Sequence, residues 1–336
     1  MTLLPAVSVV MPVRNGSRFL GEAVASVLAQ TEGDLELVVV DDGSTDETPE
    51  LLAAAARRDS RVRVVTTPPR GLTDALNEAC AQARAPLLAR MDADDVCLPD
   101  RLERQLRTLD ARPDAALVAG GVVVVDEEGR AVDEAPARTP FRLLERNDIV
   151  HSTVLMRRSC FEEVGGYRVD HAEDYDLWLR LEERYELAAV AAPVLRYRLH
   201  PGQFSVGKLG RQAAAALAVR AAARRRRSGL ADPLEGRREL RAGLLEELDV
   251  PAAEYAATVA RDAVHWSATL RRLGRVREAE LLVAAVAADA QLPVHLLDRR
   301  ARLLRLRTAV RRGRAAETLR AAASAVGAFA PYDRGR

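Results

Sequence analysis

Cysteine, aromatic residues and long apolar runs are all scarce in this chain. Three cysteines stand among 336 residues. Cys80, Cys97 and Cys160 form neither a metal-ligand spacing nor an even disulfide set, so they read as reduced, small core residues. Aromatic residues make up 4% of the sequence. No aromatic platform accompanies its basic segments, which weighs against nucleic acid as a partner. No apolar run approaches the ~20 residues that span a membrane. The run from Ala6 is short, lacks a basic leader and ends at Pro12, Arg14 and Asn15, so no targeting signal is expected there. A G-x-G-x-x-G turn is also missing after the first apolar run, which excludes the usual dinucleotide oxidoreductase. The expectation is a soluble cytoplasmic protein.

What is present divides in two. The apolar content of 48% supports a buried core, and the net charge of +1 conceals an asymmetry. Residues 1–200 hold 24 basic and 35 acidic side chains, about −11, whereas residues 201–336 hold 26 and 14, about +12. Up to about Ser205, β-rich apolar runs alternate with helical patterns; beyond Val206 the chain turns to Ala, Arg, Leu and Glu at helical spacing. A boundary is expected near 205–210, giving an α/β domain over 1–205 and a basic helical domain over 206–336.

In the first part, strand patterns cover residues 7–11, 35–40, 62–66 and 87–91, and helical patterns cover 19–30, 47–58 and 72–83. Such alternation predicts a mainly parallel sheet covered on both faces, with ligands at the carboxyl ends of its strands. Chemistry-bearing residues fall at those ends: Pro12 to Asn15, then Asp41-Asp42, then Asp92-Ala93-Asp94-Asp95. About eighty residues later comes Glu173-Asp174. Two carboxylates one small residue apart can present oxygens to a hard cation such as Mn²⁺ or Mg²⁺ on a diphosphate. An Asp-x-Asp is also common in solvated turns and helix caps.

Four motifs carry a resemblance. Val7-Ser-Val-Val-Met-Pro-Val-Arg-Asn15, Val39-Val-Asp-Asp-Gly-Ser-Thr-Asp46, Met91-Asp-Ala-Asp-Asp95 and Ala172-Glu-Asp-Tyr-Asp-Leu-Trp178 resemble, in order and spacing, the family-two glycosyltransferases of the GT-A fold. Gly165-Gly166-Tyr167 and Arg196-Tyr-Arg-Leu-His200 extend the likeness over roughly residues 5–205. It implies a Rossmann-like GT-A sheet followed by an all-helical region. It further implies an inverting, metal-dependent transfer of sugar from a nucleoside diphosphate donor, with UDP the preferred carrier.

The resemblance distributes roles. Asp94 would ligate the metal, with Asp92 beside it or on the ribose or donor sugar; His200 would complete the metal site. Asp42 would read the base, the backbone near Pro12 and Val13 would line its pocket, and Arg14 and Arg70 fall beside the nucleotide, with a solvated surface arginine the competing role for Arg70. Asp95 is expected to cap the helix that starts near Pro99 or to stand behind the metal site. Asp174 is the candidate general base, with Glu173 its substitute, because one carboxylate must take the acceptor's proton opposite the leaving diphosphate. The same acids, with Asp176, would also suit the first turn of a helix. His151, Gly166, Trp178 and Arg198 are assigned to the donor and acceptor pocket, with core packing the competing role for Trp178.

The last third is expected to be a helical bundle over 209–227, 235–247, 252–273, 276–288 and 294–319. Its basic run, Arg224 to Arg227, suits a solvated face or docking on an anionic membrane at the inner surface of the cell, where lipid-linked acceptors reside. A homodimer through Ala- and Leu-rich faces stays open. The expected activity is sugar transfer to a hydroxyl of a saccharide or lipid-linked saccharide in surface polysaccharide synthesis. A catalytically silent nucleotide- or glycan-binding scaffold is the competing class. A sugar nucleotidyltransferase would need an N-terminal glycine-rich loop with a basic residue, where this chain has Met11-Pro-Val-Arg-Asn15.

Overall fold

The computed structural model describes residues 4–200, 209–240, 243–280 and 282. The chain divides into two units, Met1–Leu199 with Gly236–Arg238, and His200–Glu235 with Glu239–Arg336.

The first unit opens with β1 (Val7–Val13), α1 (Ser17–Leu28), β2 (Leu35–Asp41), α2 (Thr48–Arg58), β3 (Val62–Thr66), α3 (Leu72–Gln82) and β4 (Leu87–Arg90). Every residue of β1 and β2 is buried, as expected of parallel strands covered on both faces. Glu36, the second residue of β2, is a buried acid. Ser8 donates to it at 2.6 Å, and Arg63 and Arg84 pair with it at 3.1 and 2.8 Å, so its charge is not left uncompensated. The helices follow from apolar residues at helical spacing: α1 buries Leu20, Ala23, Val24 and Val27 along one stripe.

Beyond β4 the chain forms β5 (Val96–Cys97), α4 (Arg101–Asp110), β6 (Ala115–Val125), β7 (Ala131–Ala135), a 3-10 turn at His151–Thr153, β8 (Leu155–Arg157), α5 (Arg158–Glu163), α6 (Glu173–Glu182) and β9 (Glu186–Arg198). The strands join one sheet in the order β3-β2-β1-β4-β8-β6-β9-β5, with β7 added on β6. β3, β2, β1 and β4 run parallel. β8 is antiparallel to both β4 and β6, while β9 is parallel to β6. The expected α/β fold is thus present as a mixed, mostly parallel sheet. A parallel half begins the chain, and a half with antiparallel strands follows the acidic loop.

In the second unit, α7 (Leu209–Arg227), α8 (Leu244–Glu247) and α9 (Ala252–Arg272) are helical. Ala213 of α7 packs with Val259, Ala260 and Ala263 of α9. The helix expected over 235–247 is reduced to four residues, because Gly236 and Gly243 adopt left-handed backbone (φ 68° and 87°), where a helix stops. Residues 205–208 of the expected boundary, most of the expected helix 276–288 and all of 294–319 lie outside the described residues. Among the described residues no helix is long and apolar enough to cross a membrane. Cys80, Cys97 and Cys160 are free and buried.

Candidate active site

The loops after β1 and β2 are bonded to each other. Ser44 Oγ accepts from Asn15 N at 2.9 Å, Asn15 Oδ1 accepts from Thr45 N at 2.8 Å, and Thr48 Oγ1 accepts from Gly16 N at 2.9 Å. Burial alone would raise the Asp46 carboxyl, but hydrogen bonds from Thr48 and Ser17 overcome it and pull it down to about 2. Asp42 reaches the third loop, where its two oxygens accept from Arg70 N at 2.7 Å and Gly71 N at 2.9 Å, and its own N–H donates to Val13 O. Gly43 makes that turn possible: at φ 71° a Cβ would stand 2.7 Å from Pro69 Cδ and 2.9 Å from Pro69 N. Pro12, Val13, Asp42 and the Arg70 backbone therefore meet at one end of the sheet. The Arg14 and Arg70 side chains are exposed.

The loop after β4 presents Asp92, Asp94 and Asp95, each with a carboxylate oxygen within 4.8 Å of the others. Burial raises the Asp92 carboxyl, Arg90 opposes it and Asp94 adds to it. Burial holds Asp95 well above the ordinary range, and the charges of Asp94 and Asp92 push the same way. Asp95 does not cap a helix. It is buried, accepts from Ser152 Oγ at 2.6 Å and Arg198 N at 2.9 Å, while Asp100 occupies the N-cap position of α4.

Asp174 and Glu173 form the first turn of α6. Asp174 accepts from Asn147 Nδ2 at 3.0 Å and from Tyr175 N at 2.7 Å. Glu173 is pushed up to about 8, first by burial and then by the charge of Asp174; burial raises Asp174 as well. Both acids of this pair therefore hold protons more tightly than free carboxyls do. Asp176 belongs to a different structure. It is fully buried between Arg168 at 2.7 Å and Arg180 at 2.8 Å, and Arg180 also donates to Gly166 O at 2.6 Å. This network secures the first turn of α6 to the Gly165-Gly166 bend.

A glycosyl transferase family 2 model matches residues 8–165. EpsE of Bacillus subtilis (strain 168) is 33% identical over 189 residues, 53% of this chain and 67% of that protein. The chain belongs to glycosyl transferase family 2. The O-antigen biosynthesis glycosyltransferase WbnJ of Escherichia coli is 29% identical to this family-2 chain over 209 residues, covering 60% of it and 82% of WbnJ. The fold is that of S. aureus TarS 1–349, solved in complex with UDP-GlcNAc (TM-score 0.53, 16% identity, 82% of this chain and 90% of that one). It is also that of the mannosyltransferase PcManGT from Pyrobaculum calidifontis, solved with GDP-Man and Mn²⁺ (TM-score 0.52, 22% identity, 97% and 86%).

Trp178, Gly166, Arg198 and His151 of this family-2 enzyme each contact other parts of the protein. Trp178 has no exposed surface and meets the His151 ring edge-on at 5.7 Å, so its face is in the core and offers no stacking surface to a sugar. Gly166 is buried, with Asn77 Oδ1 3.1 Å from where a Cβ would sit. Arg198 is 2% exposed and fully engaged. It donates to Asp94 O at 2.9 Å, Glu127 O at 2.8 Å and Glu22 Oε2 at 2.6 Å, and lies 4.7 Å from the Phe19 ring centroid. It clamps the acidic loop from behind instead of facing a diphosphate. His200 belongs to the second unit, and the ligand-capable cluster among the described residues comprises Asp92, Asp94 and Asp95. His151 bonds Tyr167 Oη at 2.8 Å through Nε2. Burial, then the charge of Arg90, holds His151 well below its ordinary range.

Sequence reading overlooked Arg90, Asn147 and Tyr167. Arg90 had a legible signal, a charged residue inside the apolar strand Leu87-Leu-Ala-Arg90. Asn147 had none, since it sits in a loop and meets Asp174 only through the fold. Tyr167 was quoted as part of a motif, yet its contact with His151 is tertiary.

Proposed function

We propose that this chain moves a sugar from a nucleoside diphosphate donor to a hydroxyl of a saccharide or lipid-linked saccharide, with inversion, in the assembly of a surface polysaccharide. The observation that carries the reading is the acidic loop after β4, where Asp92, Asp94 and Asp95 bring carboxylate oxygens within 4.8 Å of one another, with Glu173 and Asp174 in the first turn of α6 as a second acidic site. One site suits a diphosphate and its metal, the other a base. WbnJ supports the polysaccharide setting by its name, and TarS with UDP-GlcNAc and PcManGT with GDP-Man support a nucleoside diphosphate donor.

The acidic loop fits Mn²⁺ or Mg²⁺. Its donors are hard carboxylate oxygens, and burial together with mutual repulsion destabilises their charges, which a cation would relieve. Asp94 and Asp92 would hold the ion, with Asp95 behind them. Such a cation offsets charge on a leaving diphosphate. The protein's own groups do the rest. Asp42 and the β1 and β2 loops shape the nucleotide end. Asp174 accepts the acceptor hydroxyl's proton, and Asn147, which donates to it, fixes the direction of its carboxylate. One in-line displacement with one base gives inversion.

Calorimetric titration with UDP, GDP, dTDP and CMP, each with Mn²⁺ and with chelator, tests this. Metal-dependent binding of one diphosphate is expected. Failure of all four to bind would favour the scaffold that retains the fold without transfer. Docking of the basic helices on an anionic membrane is part of the same proposal, and vesicle sedimentation with and without acidic phospholipid measures it.

A further inference from the structure

The acidic loop leaves β4 through Met91 and enters β5, which ends at Cys97. Both of these stem residues meet one buried side chain of α4. Arg101 has no exposed surface. Its Nη1 donates to Cys97 Sγ at 3.3 Å and Met91 Sδ at 3.6 Å, its Nη2 to Arg90 O at 2.8 Å and Val154 O at 3.3 Å, and its Nε to Gln105 Oε1 at 3.0 Å. The Cys97 thiol donates to Met91 Sδ at 3.3 Å, which closes the stems on each other. Gln105 is equally buried and donates through Nε2 to Val118 O at 2.8 Å and Thr153 O at 2.6 Å. Thr153 ends the 3-10 turn whose Ser152 holds Asp95. One guanidinium and one amide of α4 thus grip the chain before Asp92, after Asp95 and in the turn that binds Asp95.

These acceptors are all neutral, and among the described residues Arg101 has no carboxylate partner. Taking an unpaired cation out of water is costly, and an apolar side chain would fill the same space without that cost. An apolar side chain could not bond both stems at once, which the planar fork of a guanidinium can. We infer that Arg101 is a positioning residue: it clasps the two stems of the acidic loop, braced by Gln105, so that the loop keeps its shape before any cation or diphosphate arrives. The purpose rests on the transferase reading, whereas the clasp itself does not. Carboxylates as close as those of Asp92, Asp94 and Asp95 repel one another when charged. The shape of such a loop has to be imposed from outside it. A set of ligands held in advance loses less freedom when its ion binds, and so binds it more tightly.

Hydrogen exchange on the full-length, metal-free protein tests the clasp. It is read at Met91, Cys97 and Leu98, whose N–H groups donate to Val10 O, Ser26 Oγ and Val194 O. In wild type these amides are expected to be protected without metal, and exchange at the rate of an unstructured peptide would overturn the inference. Arg101→Met should speed exchange there by about tenfold. Arg101→Lys keeps the charge, but one ammonium cannot span both stems, so it should act in the same direction. Glu36→Gln, which weakens a buried ion-pair cluster in β2, is the control: it is expected to lower the melting temperature and leave the loop as it was. Thermal melts show which variants fold; if Arg101→Met does not, Arg101→Lys and wild type decide. Loop exchange in a folded Arg101 variant that is unchanged, or that rises only as the rest of the sheet does, makes Arg101 an ordinary core residue and overturns the inference. Mn²⁺ binding, followed by electron paramagnetic resonance with and without UDP or GDP, reads the purpose. It should be about tenfold weaker in folded Arg101→Met and unchanged in Glu36→Gln. Wild-type affinity in Arg101→Met would end the positioning role. A wild type that binds neither Mn²⁺ nor nucleotide, with the loop loosening intact in the Arg101 variants, would sink the transferase reading and leave the clasp standing.

Discussion

At the scale of single residues, two acids with similar side chains take different duties in the proposed reaction because their surroundings differ. Asp94→Asn is expected to weaken Mn²⁺-dependent binding of the nucleoside diphosphate. Asp174→Asn should keep that binding while transfer falls by about 10² to 10⁴, the usual worth of general base catalysis. Paired binding and turnover measurements separate the two, and near-normal transfer in Asp174→Asn would move the base elsewhere. Glu173 makes a stability prediction whose sign follows from its raised affinity for protons. The folded chain holds this proton up to about 8, whereas the unfolded chain releases it near 4.5. Folded protein binds more protons in that window, so its contribution to stability falls as pH rises from about 4.5 to about 8. Glu173→Gln removes the penalty. It should stabilise the protein by about 1–2 kcal/mol at pH 9 relative to wild type and give no gain at pH 4.5, as read from urea unfolding at both values.

At the scale of elements, α6 is held by charge as much as by apolar packing. Asp176 has no solvent of its own and two guanidinium partners. Asp176→Asn leaves both arginines short of a counter-charge and should cost about 3–5 kcal/mol in urea unfolding. A loss under 1 kcal/mol would mean that the arginines find other acceptors readily. The helix positions Asp174 at its first turn, so the same substitution bears on the direction of the base. β9 has a comparable part in the acidic loop. Its last residue, Arg198, takes Asp95 through the main chain and Asp94 O through the side chain, which explains why an arginine so near the acids has no charge to spare for a ligand.

At the scale of the whole molecule, the chain returns to its first unit after leaving it. Gly236–Arg238 belongs with Met1–Leu199. Arg238 pairs with Asp74 and Asp170, and its carbonyl accepts from Asp170 N at 3.1 Å. A protein cut after residue 205, at the boundary expected from composition, should therefore melt lower than one cut after residue 240, with a difference of about 1 kcal/mol in unfolding free energy. Equal stability of the two fragments would show these contacts to be idle. Composition could not mark this return, because three residues carry no periodicity. The parallel strands and the order of the acidic loops were legible in the sequence, since continuous apolar runs, helical spacing and the acids after β2 and β4 are local patterns. So was the acidic first helical turn that Glu173 and Asp174 form. What only the tertiary structure decided is which of these charges are available. Asp42 is taken by the backbone at residues 70 and 71, and Asp95 by a backbone N–H 103 positions away. Trp178 is enclosed, and Arg90 is buried beside Asp92. Burial and hydrogen-bond satisfaction are settled by segments far apart in the chain, and no local pattern contains both partners.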